Sequence, residues 1–130
     1  MDIGKLKNNN KFYEPQAYIY DDEVILSLKE APEFNLHIWD LYFDDIFNNS
    51  LFKEREKSGF TRDFQEGKGA FSDENQNYAE LQNPEEYLAD LLQYTEKEFE
   101  FKETNEVFQL IANFLRYAIA TKQTVIVEVE

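Results

Sequence analysis

Residues 104–130 read TNEVFQLIANFLRYAIATKQTVIVEVE, and this stretch decides the fold because a long helical pattern leads directly into a strand pattern. We predict a helix that is capped by Thr104 or Asn105 and is ended by Lys122-Gln123. Its broad apolar face consists of Val107, Phe108, Leu110, Ile111, Phe114, Leu115, Ala118 and Ile119. Thr124–Glu130 alternates valine with other residues, which predicts a strand with its three valines on one side.

A second helix is predicted just upstream. Asn83 is a good N-cap, Pro84 suits the first helical position, and Glu85 and Glu86 place acids in the first turn. The pattern continues to about Glu98 through the apolar residues Tyr87, Leu88, Leu91 and Leu92.

A third helix is predicted from Pro32, at a first-turn position, to about Asn48. Apolar residues cover most of its circumference, so we expect it at the centre of the core. They are Phe34, Leu36, Ile38, Trp39, Leu41, Tyr42, Phe43, Ile46 and Phe47. The polar positions form one stripe, and within it His37, Asp40 and Asp44 have the spacing of metal ligands on one helix face. The alternative, which we favour, is an ordinary solvated face.

The remaining segments give weaker signals. Residues 1–16 are rich in Lys and Asn and read as a loosely ordered lead-in, and Lys53–Lys57 reads as a charged connector. Ala17–Tyr20 and Val24–Leu28 favour a hairpin, although a helix that begins at Asp22 is the competing interpretation. Ser58–Asn83 holds three of the four glycines and reads as loop with at most one irregular hairpin.

Taken together, the patterns predict an α+β fold: one helix-rich domain over residues 1–130 with a small antiparallel sheet. The chain is 42% hydrophobic and 16% aromatic, which is enough for a core. It has no cysteine and neither a signal-peptide pattern nor a transmembrane stretch. We therefore expect a cytoplasmic protein in a reducing environment.

The formal net charge is −14, and its largest part lies in Asp63–Glu106, which holds thirteen Asp or Glu against three Lys. Such a surface favours a basic partner and argues against nucleic acid and anionic membranes as ligands.

Searches for catalytic and cofactor motifs lead us to expect a non-enzymatic protein without metal or cofactor. Asp73–Asn77 begins like a calcium loop, but Tyr78 stands where Gly is needed and Pro84 where Glu is needed. Gly67-Lys68-Gly69 lacks the spacing of a phosphate loop, and the chain has no nucleophile elbow. Adjacent acids such as Asp44/Asp45 usually point apart and stay solvated.

The C-terminal patterns also carry a family resemblance. Residues 86–92 (EYLADLL), 108–119 (FQLIANFLRYAI) and 122–128 (KQTVIVE) resemble immunity proteins of bacterial contact-dependent growth inhibition systems, particularly those paired with ribonuclease toxins. The resemblance covers residues 84–130 and implies a small, cytosolic, non-enzymatic protein that binds the toxin's C-terminal domain and blocks it. A ribonuclease binds phosphate with basic residues, so an acidic inhibitor has the complementary charge.

On this hypothesis we predict that the toxin is bound by the carboxylates of the acidic stretch, with two aromatic anchors. The predicted residues are Asp63, Glu66, Asp73, Glu74 and Glu80, with Phe71 and Tyr78 as anchors and Asp40 and Asp44 as the second choice. The aromatics within and beside this stretch, which include Phe64 and Tyr87, read equally well as side chains that pin a loop to the core. Rival functions are an acidic mimic of nucleic acid, a small regulatory adaptor, and a hydrolase with a metal-bound carboxylate pair.

Overall fold

The computed structural model describes residues 22–48 and 57–130, which form a four-stranded antiparallel sheet packed against helices. The elements in chain order are β1 (Glu23–Leu28), β2 (Ala31–Trp39), α1 (Asp40–Phe47), α2 (Gly59–Glu66), β3 (Tyr78–Glu80), α3 (Pro84–Leu92), α4 (Thr104–Thr121) and β4 (Val125–Val129). Two single 3₁₀ turns, Gly69–Phe71 and Asp73–Asn75, lie between α2 and β3. The strand order is β2-β1-β4-β3, so the predicted α+β class is confirmed.

The C-terminal helix and strand lie where the sequence predicts them. α4 ends at Thr121 and is followed by Lys122 in the left-handed conformation, and β4 pairs with β1 on one side and β3 on the other. Neither Thr104 nor Asn105 is the N-cap; that position is Glu103, and the Thr104 hydroxyl instead donates to Asp45 at 2.7 Å. Because β4 has a neighbour on each side it is an interior strand, which suits the burial of Val125 and Val127.

The helix predicted from Pro32 to Asn48 is wrong over its first half. Residues 31–39 form β2, and only Asp40–Phe47 is helical. Leu36 and Ile38 are fully buried and pair with Leu26 and Val24 of β1, so the apolar run alternates at the strand period. Because His37 lies on a strand, the proposed helical stripe of metal ligands does not form.

The predicted Val24–Leu28 strand is confirmed as β1, which begins one residue earlier at Glu23, and it forms a hairpin with β2 through Lys29 and Glu30. The suggested partner strand Ala17–Tyr20, the 1–16 lead-in and most of the Lys53–Lys57 connector lie outside the described residues.

The expected loop over Ser58–Asn83 contains a helix that the sequence reading missed. α2 is only eight residues long, and it ends at Gly67, whose φ of 64° places it in the left-handed region. β3 does not form a local hairpin, because it pairs with β4, the strand that follows α3 and α4 in the chain.

α3 begins as predicted, since the Asn83 side chain accepts a hydrogen bond from the Glu86 backbone at 3.3 Å. The helix ends at Leu92, six residues before the predicted Glu98.

Aromatic rings join the helices into one core. Phe43 lies at the centre, with the rings of Phe47, Phe60, Phe64 and Phe71 at centroid distances of 4.5 to 5.4 Å. Such pairs add about 0.5 to 1.5 kcal/mol each beyond the area that they bury. Five aromatic residues of the predicted apolar helix faces are buried as expected: Trp39, Phe43, Phe47, Phe108 and Phe114. Phe34, which was expected with them, is half-buried and packs on Tyr117. Across the described residues, no helix is both long enough and apolar enough to span a membrane.

Candidate functional site

The segment from Glu66 to Asn75 lines a shallow depression of about 600 Å³ on the surface, which we call the acidic depression. It brings together four of the predicted residues, Glu66, Phe71, Asp73 and Glu74, and Lys68 contributes the one cation. Glu66 pairs with Lys68 at 3.2 Å. Asp73 and Glu74 are exposed and form no salt bridge with any described residue.

Asp73 and Glu74 lie in the second of the two 3₁₀ turns, and the first turn ties the segment to the core. The Asn75 amide donates to the Gly69 carbonyl at 3.1 Å, and the Asn77 amide donates to the Ala70 carbonyl at 3.3 Å. Phe71 packs between Phe43 and Phe64. Hence Phe71, like Phe64, pins the segment to the core, which is the second of the two interpretations given for these aromatics.

A second depression of about 360 Å³ lies between the β3 edge, α2 and the start of α3. We call it the edge pocket; it is lined by Arg62, Asp63, Lys68, Gly69, the run 79–83, Glu86 and Tyr87.

Asp63 lies in the wall of the edge pocket but is only 5% exposed. Its carboxylate accepts a hydrogen bond from the Tyr87 hydroxyl at 2.5 Å and from the Arg62 guanidinium at 3.1 Å. Burial raises the pKa of the Tyr87 hydroxyl above its usual value, and the hydrogen bond to Asp63 adds a smaller shift in the same direction. We therefore correct the assignment of Asp63: it joins α2 to α3 inside the protein and is not a side chain free to bind a partner.

A second buried carboxylate joins the same two helices: Asp90 lies on α3 and binds Thr61 on α2. It is 2% exposed and accepts hydrogen bonds from the backbone and the hydroxyl of Thr61, each at 2.8 to 2.9 Å. Tyr94 lies 2.5 Å from the same hydroxyl. Burial raises the pKa of Asp90 to about 6, although the hydrogen bonds from Thr61 oppose that shift. We call Thr61, Asp63, Tyr87, Asp90 and Tyr94 the buried clasp.

Two glycines give the clasp its close packing. A Cβ on Gly59 would lie 2.7 Å from the Cβ of Asp90, and a Cβ on Gly69 would lie 2.9 Å from an Asp63 oxygen. Both glycines also have positive φ, which a larger residue adopts only at a cost. Arg62 closes the outer side, where it donates to Glu86 at 2.9 Å.

Sequence reasoning missed Asp90, Thr61 and Tyr94 altogether. A signal was present, because Asp90 lies between Tyr87 and Leu91 on the apolar side of α3, and Tyr94 follows at the same spacing just beyond the helix end. A carboxylate at such a position is buried, and buried carboxylates need hydrogen-bond donors.

The remaining predicted residues lie elsewhere. On β3, the Tyr78 side chain is 43% exposed, and the Glu80 carboxylate pairs with the Lys29 ammonium at 3.0 Å. Asp40 and Asp44 lie on α1 and line neither depression; Asp44 accepts from the Asn48 amide at 2.8 Å. His37 contacts Glu23 at 3.2 Å. Within residues 22–48 and 57–130, no group of three His, Asp or Glu side chains is placed to hold a metal ion.

Comparison of the chain with protein-family models, with curated proteins and with solved structures gives no match. The relationship to immunity proteins therefore stays a prediction.

Proposed function

We propose that this chain is a non-enzymatic immunity protein that works in the cytoplasm by binding a basic toxin domain, a ribonuclease in the first instance. The observation that carries the proposal is the acidic depression, where Asp73 and Glu74 are exposed and form no salt bridge with a described residue, on a segment that Phe71 ties to the core. A preorganised site of this kind loses little conformational entropy when it binds.

The charge of the wider surface supports the same partner. Three of the described cations near the acidic depression and the edge pocket already pair with carboxylates: Lys29 with Glu80, Arg62 with Glu86 and Lys68 with Glu66. The additional acids Asp73, Glu74, Glu85 and Glu128 form no salt bridge with a described residue. This excess of negative charge attracts a phosphate-binding surface and speeds its encounter.

The test is co-expression with the C-terminal domain that is encoded by the neighbouring reading frame. We expect the wild-type chain to protect cells from that domain and to purify with it. The variant Asp73→Lys/Glu74→Lys should lose protection, because it places two lysines against a basic surface.

The matched control is Glu96→Lys/Glu98→Lys, on the exposed connection between α3 and α4. It changes the net charge by the same amount away from the acidic depression, so we expect it to protect the cells. If the wild-type chain neither protects nor co-purifies, the immunity function is wrong. If both variants protect equally well, the acidic depression is not the binding surface.

A further inference from the structure

The outer edge of β3 carries backbone hydrogen-bonding groups that have no partner among the described residues. Val129 donates to the Asn77 carbonyl at 3.0 Å and Leu81 donates to the Val125 carbonyl at 2.9 Å. Bonded and non-bonded pairs alternate in an antiparallel ladder, so the N–H and C=O groups of Tyr78 and Glu80 point away from β4. A row of such groups is a template for one more strand.

The side chains around this edge favour the binding of an extended peptide segment. Tyr78 is the most exposed large hydrophobic side chain of the described residues, and it stands on the sheet face shared with Glu80. On the other face of the strand, Ala79 and Leu81 belong to the wall of the edge pocket. Since side chains of a strand alternate between two faces, one set would pack beside Tyr78 and the other would enter the pocket.

The acidic side chains near this edge favour a bound segment that is basic. Asp73 and Glu74 precede β3, Glu85 follows it, and Glu128 is paired with Tyr78 across the sheet. None of the four forms a salt bridge with a described residue. A second copy of this chain would bring the same acids together, which disfavours pairing of β3 with itself.

We propose that β3 receives an extended, basic segment of the partner, which pairs with the outward backbone groups of Tyr78 and Glu80 and adds a strand to the sheet. This proposal rests on the proposed function, because it assigns the mode by which that function's partner docks. The backbone pairing supplies affinity, and the surrounding carboxylates select a segment with Lys or Arg at alternate positions.

The first experiment uses a peptide probe, so it does not require the toxin. The probe is the hexapeptide Lys-Val-Lys-Val-Lys-Val with blocked ends. A version methylated on its two central amide nitrogens, one on each edge, keeps the charge but cannot pair fully on either edge. We expect binding of the parent peptide, slower exchange of the Tyr78 and Glu80 amide protons, and affinity at least tenfold lower for the methylated peptide.

The second experiment changes the edge itself. Glu80→Pro removes an outward N–H group, whereas Glu80→Ala removes the same carboxylate and keeps that group. We expect Glu80→Pro to bind the parent peptide several-fold more weakly than Glu80→Ala does. The methylated peptide tests the wild-type chain, so the proposal stays testable even if Glu80→Pro fails to fold.

Several outcomes would overturn the proposal: no binding of the parent peptide, equal binding of the two peptides, or equal binding by folded Glu80→Pro and Glu80→Ala. A wild-type dimer in sedimentation that Glu80→Pro abolishes would assign the edge to a second copy instead. If the peptide fails while co-expression protects cells, only this docking mode is wrong. If the peptide binds while co-expression fails, the edge is a strand-binding site and the immunity function is wrong.

Discussion

The carboxylates of the buried clasp and of the acidic depression all belong to residues 63–106, yet those of the clasp are buried and Asp73 and Glu74 of the depression are exposed. Asp63 and Asp90 are almost fully buried, and each accepts hydrogen bonds from the neighbouring helix. Asp73 and Glu74 are exposed and form no salt bridge with a described residue. The difference teaches that a count of charge along a sequence mixes two kinds of acid: those that fix the fold and those that are free to bind.

The clasp should show the largest effect on stability. Asp90→Ala leaves the backbone N–H and hydroxyl of Thr61 without their acceptor in a buried site. We expect the free energy of unfolding at pH 7 to fall by about 4 kcal/mol. Asp90→Asn is the control, because its amide can accept from the Thr61 backbone and donate to the hydroxyl. Urea titration should show Asp90→Asn at least as stable as the wild type; an equal loss in both variants would contradict the role given to these hydrogen bonds.

The next effect is at Gly59, which packs on the clasp. Gly59→Ala must keep a φ of 56° and places its Cβ 2.7 Å from the Cβ of Asp90. The strain and the overlap together should lower the free energy of unfolding by about 3 kcal/mol. Gly67→Ala has a similar φ, but its Cβ meets nothing closer than 3.9 Å, so we expect about 1 kcal/mol there. Equal losses in thermal unfolding would show that backbone strain alone matters and that the packing on Asp90 does not.

A smaller effect should appear on changing the pH. Burial raises the pKa of Asp90 from 3.8 to about 6, so the folded state binds this proton more tightly than the unfolded state does. Its contribution to stability is therefore fully present below pH 3.8 and is lost as the pH rises through about 6. Measured as the difference from Asp90→Asn, the wild type should gain about 2 kcal/mol between pH 7 and pH 4. A flat difference over this range would mean that Asp90 is not buried as a carboxylate.

The smallest effect on stability should come from the acidic depression. Asp73→Lys/Glu74→Lys changes exposed side chains without a salt bridge to a described residue, so the free energy of unfolding should change by no more than about 0.5 kcal/mol. A loss comparable to that of Asp90→Ala in the same urea titration would place these acids with the clasp and remove the contrast between the two regions.

The sequence predicts the parts of the fold whose signals are local. α4, β4 and the start of α3 are found because each combines a repeating apolar pattern with a clear start or end, such as Asn83 and Pro84. β2 was misread because Trp39 continues directly into α1, so a strand and a helix form one unbroken apolar run. Its alternation of Leu36, His37 and Ile38 was the better signal.

The site is harder to predict, because burial depends on contacts between distant residues. Asp63 looks like its acidic neighbours in sequence, yet its partner Tyr87 is 24 residues away. Thr61 and Asp90 are 29 residues apart, and no local spacing connects them. The exposure of Asp73 and Glu74 follows from a local property, because acids near glycines lie on loops, whereas their role in binding stays a prediction.

The most direct test of the contrast is the salt dependence of binding between the purified chain and the toxin domain, measured by titration calorimetry. We predict that Asp73→Lys/Glu74→Lys weakens binding at least a hundredfold and flattens its dependence on NaCl, since screened charge pairs are lost. Glu96→Lys/Glu98→Lys should stay within a few-fold of the wild type at each NaCl concentration. Equal losses and equal salt slopes for the two variants would show that net charge alone drives binding, and would contradict a recognition surface at Asp73 and Glu74.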